Sequence, residues 1–239
     1  MPKPSATPPL PEHAASTLEQ MAQVVLSDHS LDEIFELVVS LPSAAFSGVA
    51  GTSVTLTDKA SPYTSVATGP LPRALDEVQY STNEGPCLEA ARSSTMTVIG
   101  SVTEDERFPK FTPAALEHGV HSVLSLPLVT GERSIGSLNI YGHAERTFGG
   151  QEQLIGSLFA QRASILVTNA RALDEARALA EQLQEAVGTR EVIGEAKGIL
   201  MEREACTSDE AFDLLKKASQ NTNTKLRDIA EQVVLGAVQ

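Results

Sequence analysis

Arg190-Glu191-Val192-Ile193-Gly194-Glu195-Ala196-Lys197-Gly198-Ile199-Leu200-Met201-Glu202-Arg203 is the stretch on which the reading of this 239-residue chain turns. Ile193, Ala196, Ile199 and Leu200 recur at helical spacing, with charged residues between them. Thr207 with Glu210 three residues on is a capping box, which opens a second helix over 208–220. Thr224 is placed to cap a third helix reaching Val234. Ala211, Phe212, Leu214, Leu215, Leu226, Ile229, Ala230 and Val233 complete an apolar set for a small shared core. Residues 188–239 therefore read as an all-α three-helix domain. A unit this small is marginal alone, and fusion of its first helix to the segment before it would help hold it.

That preceding segment, 151–187, contains no proline. Leu166, Asn169, Leu173, Ala176, Ala180, Leu183 and Val187 fall at alternating steps of three and four, an a/d seam. A seam Asn is a known device for fixing register and strand number. Two readings stand: a parallel coiled-coil dimer, or an amphipathic helix lying on its own domain.

Further back, residues 13–150 alternate between strand and helix signals. Helices are expected over 13–27, over 30–41 (stopping before Pro42), over 71–80, from Pro86, and over 113–119. Strands are expected over 48–57, 63–68, 95–99, 120–129 and 134–141. Short connections and flanking helices predict an α+β domain with an antiparallel sheet of about five or six strands. Residues 1–12 form a proline-rich tail, expected to be disordered.

The net charge is −13, which disfavours coating of DNA or an anionic membrane by charge alone. Aromatics are 4% with no Trp, which disfavours reading single strands mainly by stacking many bases. Two distant cysteines, Cys87 and Cys206, point to a reducing cytoplasm and no disulfide framework. The N-terminus has no signal-peptide pattern, and no apolar run is long enough to span a bilayer.

The C-terminal blocks resemble the ANTAR family: 190–203, then Ser208-x-x-Ala211-Phe212-x-Leu214-Leu215 with Ala218, then Asn223-x-Lys225-Leu226-Arg227-Asp228-Ile229-Ala230. Ala205-Cys206-Thr207 departs from the glycine-containing turn usual there. The N-terminal part resembles the GAF domains that precede ANTAR in actinobacterial proteins. The matching residues are Gln79-Tyr80, 85–90, Asp105-x-Arg107-Phe108-Pro109-x-Phe111, Gly119-Val120, Ser125-x-Pro127-Leu128 and 135–141. The implied architecture is a GAF sensor, a coiled-coil helix and a three-helix ANTAR domain.

That resemblance implies transcription antitermination. Dimeric ANTAR proteins bind stem-loops in nascent leader RNA, which excludes the terminator hairpin. The RNA polymerase elongation complex is then a partner only indirectly, and no membrane or duplex DNA is expected. The ANTAR segment carries seven cations against nine anions, so a local cluster must do the binding. The candidates are Lys197, Arg203, Lys216, Lys217, Lys225 and Arg227, with Asn221 and Asn223 for base edges. Read from charge alone, the same cations are ordinary solvated helix faces with i,i+4 partners.

The sensor's candidate pocket residues are Cys87, His118 and His121. Cys87 at a helix start reads either as a low-pKa redox thiol or as a small packed residue. His118 and His121 read as a haem or metal pair, or as surface or core histidines. No cofactor is expected, and an unidentified small molecule is the candidate GAF ligand. An enzyme is disfavoured, because the sulfoxide-reductase chemistry of some GAF domains needs an attacking and a resolving cysteine. A DNA-binding regulator would need a polar recognition helix, whereas the last helix here is apolar at Leu226, Ile229, Ala230, Val233 and Val234. A dimerisation adaptor without RNA binding is the remaining alternative.

Overall fold

The alternating strand sequences build a sheet with two unlike faces. In the computed structural model, which describes residues 11–57 and 61–237, the strands are β1 (Val49–Leu56), β2 (Tyr63–Ala67), β3 (Thr97–Ile99), β4 (Ser122–Thr130) and β5 (Arg133–Gly142). They form one antiparallel sheet in the order β2-β1-β5-β4-β3. The chain divides into two units, Met1–Asp174 and Glu175–Gln239, and the sheet lies in the first.

One face of the sheet carries Val54, Leu56, Leu124, Leu126, Leu128, Leu138 and Ile140, all buried. It packs with residues of α1 (Glu12–Ala22), α2 (Leu31–Ala45) and the start of α6 (Gly150–Glu204) to form the main apolar core. On the other face, cross-strand pairing sets Ser53, Asn139, Ser125 and Thr97 in one row across four strands. Thr55, Ser137 and Tyr141 flank that row, under α3 (Pro70–Thr82) and α4 (Pro86–Ser93). A strand's period of two sorts these sets onto opposite faces.

Local chemistry sets the element ends. Ser30 and Glu33 form a reciprocal capping box that starts α2. The expectation that this helix stops before Pro42 is corrected: it runs through the proline to Ala45. Pro42 forfeits one backbone hydrogen bond, but Pro42 and Ala45 are both buried, and that burial offsets the loss. Beyond the short edge strand β3, the side of β4 left unpaired is covered from α6. The Ser164 hydroxyl accepts the Val129 N–H at 3.0 Å, and Pro127 has no N–H to satisfy. The tail expected over 1–12 lies outside the described residues except Pro11 and Glu12, and Glu12 already belongs to α1. That first helix ends at Ala22, short of the expected Ser27.

In the second unit, the expected separate helix 190–203 is the continuous end of α6, and the glycines at 188, 194 and 198 do not break it. α7 (Ser208–Thr222) opens with the expected Thr207–Glu210 capping box, its side-chain bonds 2.8 and 3.3 Å long. α8 (Leu226–Ala237) starts one residue later than the expected Thr224 cap requires, with the Ile229 N–H donating to the Lys225 carbonyl, and the Thr224 hydroxyl donates to the Thr222 carbonyl. Ala196, Leu215, Ile229 and Ala230 form the buried core of the triplet, with Val192, Ile193, Leu200, Leu226 and Val233 packed around them. Two residues assigned to that core from their spacing, Phe212 and Leu214, are 37% and 42% exposed. The end of α6 and two short helices form a core too small to cover every apolar side chain of the triplet.

Candidate functional sites

In the first unit, the polar face of the sheet and α3 enclose a hydrogen-bonded cluster. Asp76 is fully buried, and its carboxylate accepts from Tyr141 Oη (2.6 Å) and Thr64 Oγ1 (2.9 Å). Burial raises this carboxyl to about 6, and the hydrogen bonds it accepts only partly oppose that. Gln79 Nε2 donates to Tyr141 Oη at 3.1 Å, while Gln79 Oε1 accepts the Cys87 N–H at 2.9 Å. The Tyr80 hydroxyl bridges Thr55 and Thr64. Asn139 Nδ2 donates to Ser53 and Thr55. That leaves Asn139 Oδ1, with Ser125 Oγ and Ser137 Oγ, buried and without a protein partner.

Of the three residues expected in a sensor pocket, only Cys87 joins this cluster. Its position at the start of α4 would lower a thiol pKa, but it is fully buried, and burial pushes the thiol up instead. His118 ends α5 (Thr112–Glu117), where its exposed ring faces the Ala114 carbonyl. His121 is half-buried just before β4, and its N–H donates to the Gly142 carbonyl. Both histidines stand apart from the polar cluster. Among the described residues no group of three or more His, Cys, Asp or Glu side chains is placed to hold a metal ion. Of the missed members, Asn139 and Tyr141 lie in the strand-like alternation of β5, whereas Asp76 and Gln79 share one face of α3 at a spacing of three and carried no strand signal.

In the second unit, Lys197 on α6 lies with its Nζ 5.8 Å from the centroid of the Phe212 ring on α7. Lys216 is one turn from Phe212, and both Lys216 and Lys217 are exposed. Asp213, Lys216, Lys217 and Gln220 line a surface hollow of about 290 Å³. Asn221 is exposed near the end of α7, and Asn223 closes that helix in the left-handed region at φ 51°. Lys225 is exposed before α8, and Arg203 is exposed at the end of α6. Arg227 differs from these. Its guanidinium pairs with Glu231 at 2.9 Å and approaches Glu185 on α6 at 3.8 Å, so it ties two helices together.

The expected seam is split. Leu166 is 8% exposed and belongs to the first unit's own core, so it is not free to face a second helix. Leu173 is half-buried and Asn169 exposed. From Ala176 onward the seam is uncovered: Ala180 is exposed, as are Leu183 (58%) and Val187 (54%). Leu179, outside the a/d assignment, is equally bare at 57%.

The GAF domain family model matches residues 28–168, and the ANTAR domain model matches residues 181–234. No curated protein matches the chain. Among solved structures, it is similar to the GAF domain from Acinetobacter phosphoenolpyruvate-protein phosphotransferase (TM-score 0.55, 17% identity, covering 70% of this chain and 99% of that one). It is also similar to free methionine-R-sulfoxide reductase from Neisseria meningitidis in complex with its substrate (0.52, 17%, 69% and 96%). The reduced form of fRMsr of Staphylococcus aureus is a third such structure (0.52, 14%, 67% and 99%). At these identities the likeness concerns the fold of the first unit.

Proposed function

We propose, from the premise that this chain belongs to the GAF domain family and carries a C-terminal ANTAR domain, that it is an RNA-binding transcription antitermination regulator of the cytoplasm. The observation that carries this reading is the ANTAR match over 181–234, on a helical triplet that exposes Lys216, Lys217 and Lys225 and half-buries Lys197. These cations meet the phosphates of a leader-RNA stem-loop, and Asn221 and Asn223 reach unpaired bases. A second copy pairs along α6 through Ala176, Ala180, Leu183 and Val187, so that two triplets grip the paired stem-loops. RNA polymerase is affected only through the folding of its transcript.

The first unit acts as a sensor and not as an enzyme. Cys87 is its only cysteine, it is fully buried, and its thiol is pushed up. The buried polar face under α4, with Ser125, Ser137 and Asn139 Oδ1 unpartnered, is the candidate place for the sensed small molecule.

Sequencing of RNA crosslinked to the purified full chain tests the reading. Enrichment of structured leaders upstream of terminators supports it. Recovery of no structured RNA, or preferential retention of duplex DNA in a competition assay, overturns it.

A further inference from the structure

The chain has seven Phe and three Tyr, and Phe212 is the one aromatic residue in the second unit. The other six Phe side chains are at most 8% exposed, whereas Phe212 is 37% exposed. Its helical spacing sends it toward the core, yet the buried core of the triplet is complete without it. One side of the ring is flanked by Lys197 Nζ at 5.8 Å, and Lys216 stands one turn further along α7. A cation beside an aromatic face is ordinary surface chemistry. An exposed ring with one cation at its face and another one turn along the same helix, on a unit read as RNA-binding, is more specific: a planar partner carrying phosphates fits both features at once.

We propose that Phe212 is a stacking platform for one unpaired base of the RNA loop, with Lys197 and Lys216 holding the phosphates on either side of that base. This rests on the RNA-binding reading and adds the residue that distinguishes a loop from a plain stem. Base–aromatic stacking tolerates any base, so Phe212 recognises that a base is unpaired and leaves its identity to the polar groups nearby. A single platform also agrees with a chain so poor in aromatics, because it needs one ring and no extended aromatic groove.

The test uses the full-length protein and two synthetic hairpin pools on one stem. One pool has eight randomised loop nucleotides, and the other has eight abasic loop positions. Affinity is read by fluorescence anisotropy across a salt series. F212L, which keeps apolar bulk, is expected to bind the base-containing pool about tenfold more weakly and the abasic pool as wild type does. F212Y is expected to restore binding, and neither variant is expected to change the salt dependence. K216A is expected to weaken both pools and flatten the salt dependence. Sedimentation and circular dichroism check that F212L keeps its oligomeric state and helix content.

Equal binding of the base-containing pool by F212L and wild type overturns the platform. So does an equal loss by F212L on both pools, or a loss that follows a changed oligomeric state, because the ring would then serve packing or a protein contact. If wild type binds neither pool, the RNA-binding reading itself fails, and the platform falls with it.

Discussion

The Tyr141 hydroxyl donates a 2.6 Å hydrogen bond to Asp76 Oδ1, and both side chains are fully buried. An unfolded Asp titrates near 3.9, whereas this carboxyl is held at about 6 in the fold. The folded state therefore binds the proton more tightly. The stability this contributes is fully present below about pH 4 and is lost as pH rises through about 6, an effect on the order of 3 kcal/mol. Asp76→Asn stays neutral throughout and is expected to flatten this slope. Urea unfolding of wild type and variant at pH 5 and pH 7.5 checks it. Parallel behaviour at both pH values would show that Asp76 is not protonated in the fold.

Gly136 lies on β5 opposite Leu56 of β1. A Cβ there would stand 1.9 Å from the Thr55 carbonyl oxygen, at a φ of 154° that side chains rarely adopt. Gly136→Ala is expected to cost more than about 3 kcal/mol, since backbone rather than a flexible side chain must move. The readout is the urea midpoint of the first unit, followed by near-ultraviolet dichroism from the buried Tyr141.

Ala205 turns the chain between α6 and α7 at φ 49°, in the left-handed region that L-residues with a Cβ avoid. Ala205→Gly relieves that strain and gives back part of the gain as extra freedom in the unfolded chain. A net stabilisation of roughly 0.5 kcal/mol is expected, seen as a rise of a few degrees in thermal midpoint at unchanged RNA affinity. An unchanged or lower midpoint would place the strain elsewhere.

The parts of this molecule that were legible in sequence are those governed by local periodicity. The runs 53–56 and 137–141 alternate small polar with apolar residues, and they became strands with a dry apolar face and a polar one. The Thr207–Glu210 capping box started its helix as read. What failed depended on distant packing. Pro42 is tolerated because burial around it offsets the missing bond. Leu166 fits a heptad as well as Leu183 does, but only Leu166 finds a sheet to cover it. Phe212 fits a core pattern, but it stays 37% exposed because the small core of the triplet does not cover it. The Asp76–Tyr141 cluster joins residues 65 positions apart, and no spacing rule reaches that far.

That contrast within the seam leads to paired variants. Leu183 is 58% exposed and Leu166 is 8% exposed. Leu183→Glu places a charge in the proposed interface and is expected to shift the protein to monomer at micromolar concentration, with the first unit's stability unchanged. Leu166→Ala is expected to leave the association constant alone and to destabilise the first unit by about 2–4 kcal/mol through its core. Analytical ultracentrifugation and urea unfolding separate the two outcomes. If Leu183→Glu sediments as wild type does, the seam from Ala176 to Val187 does not hold two copies together.

The cations of the ANTAR triplet divide in the same way. Lys216, Lys217 and Lys225 are exposed and carry no ion pair among the described residues, whereas Arg227 is engaged with Glu231 and Glu185. Each lysine that neutralises a phosphate of a largely single-stranded loop adds about 0.7 to the salt dependence of RNA binding. Replacing all three with Ala is therefore expected to weaken hairpin binding by more than about tenfold at low salt and to flatten the slope of log affinity against log salt by about two. Arg227→Ala removes no free cation. It removes one ionic tie between α8 and α6 while the apolar core still holds the helices together, and since Arg227 is part-exposed, the loss of stability is expected to stay within about 1 kcal/mol. Its salt slope should match wild type. A slope change for Arg227→Ala as large as for a single lysine variant would mean that the guanidinium leaves its carboxylates to bind RNA. An unchanged slope in the triple variant would move the RNA contact away from α7 altogether.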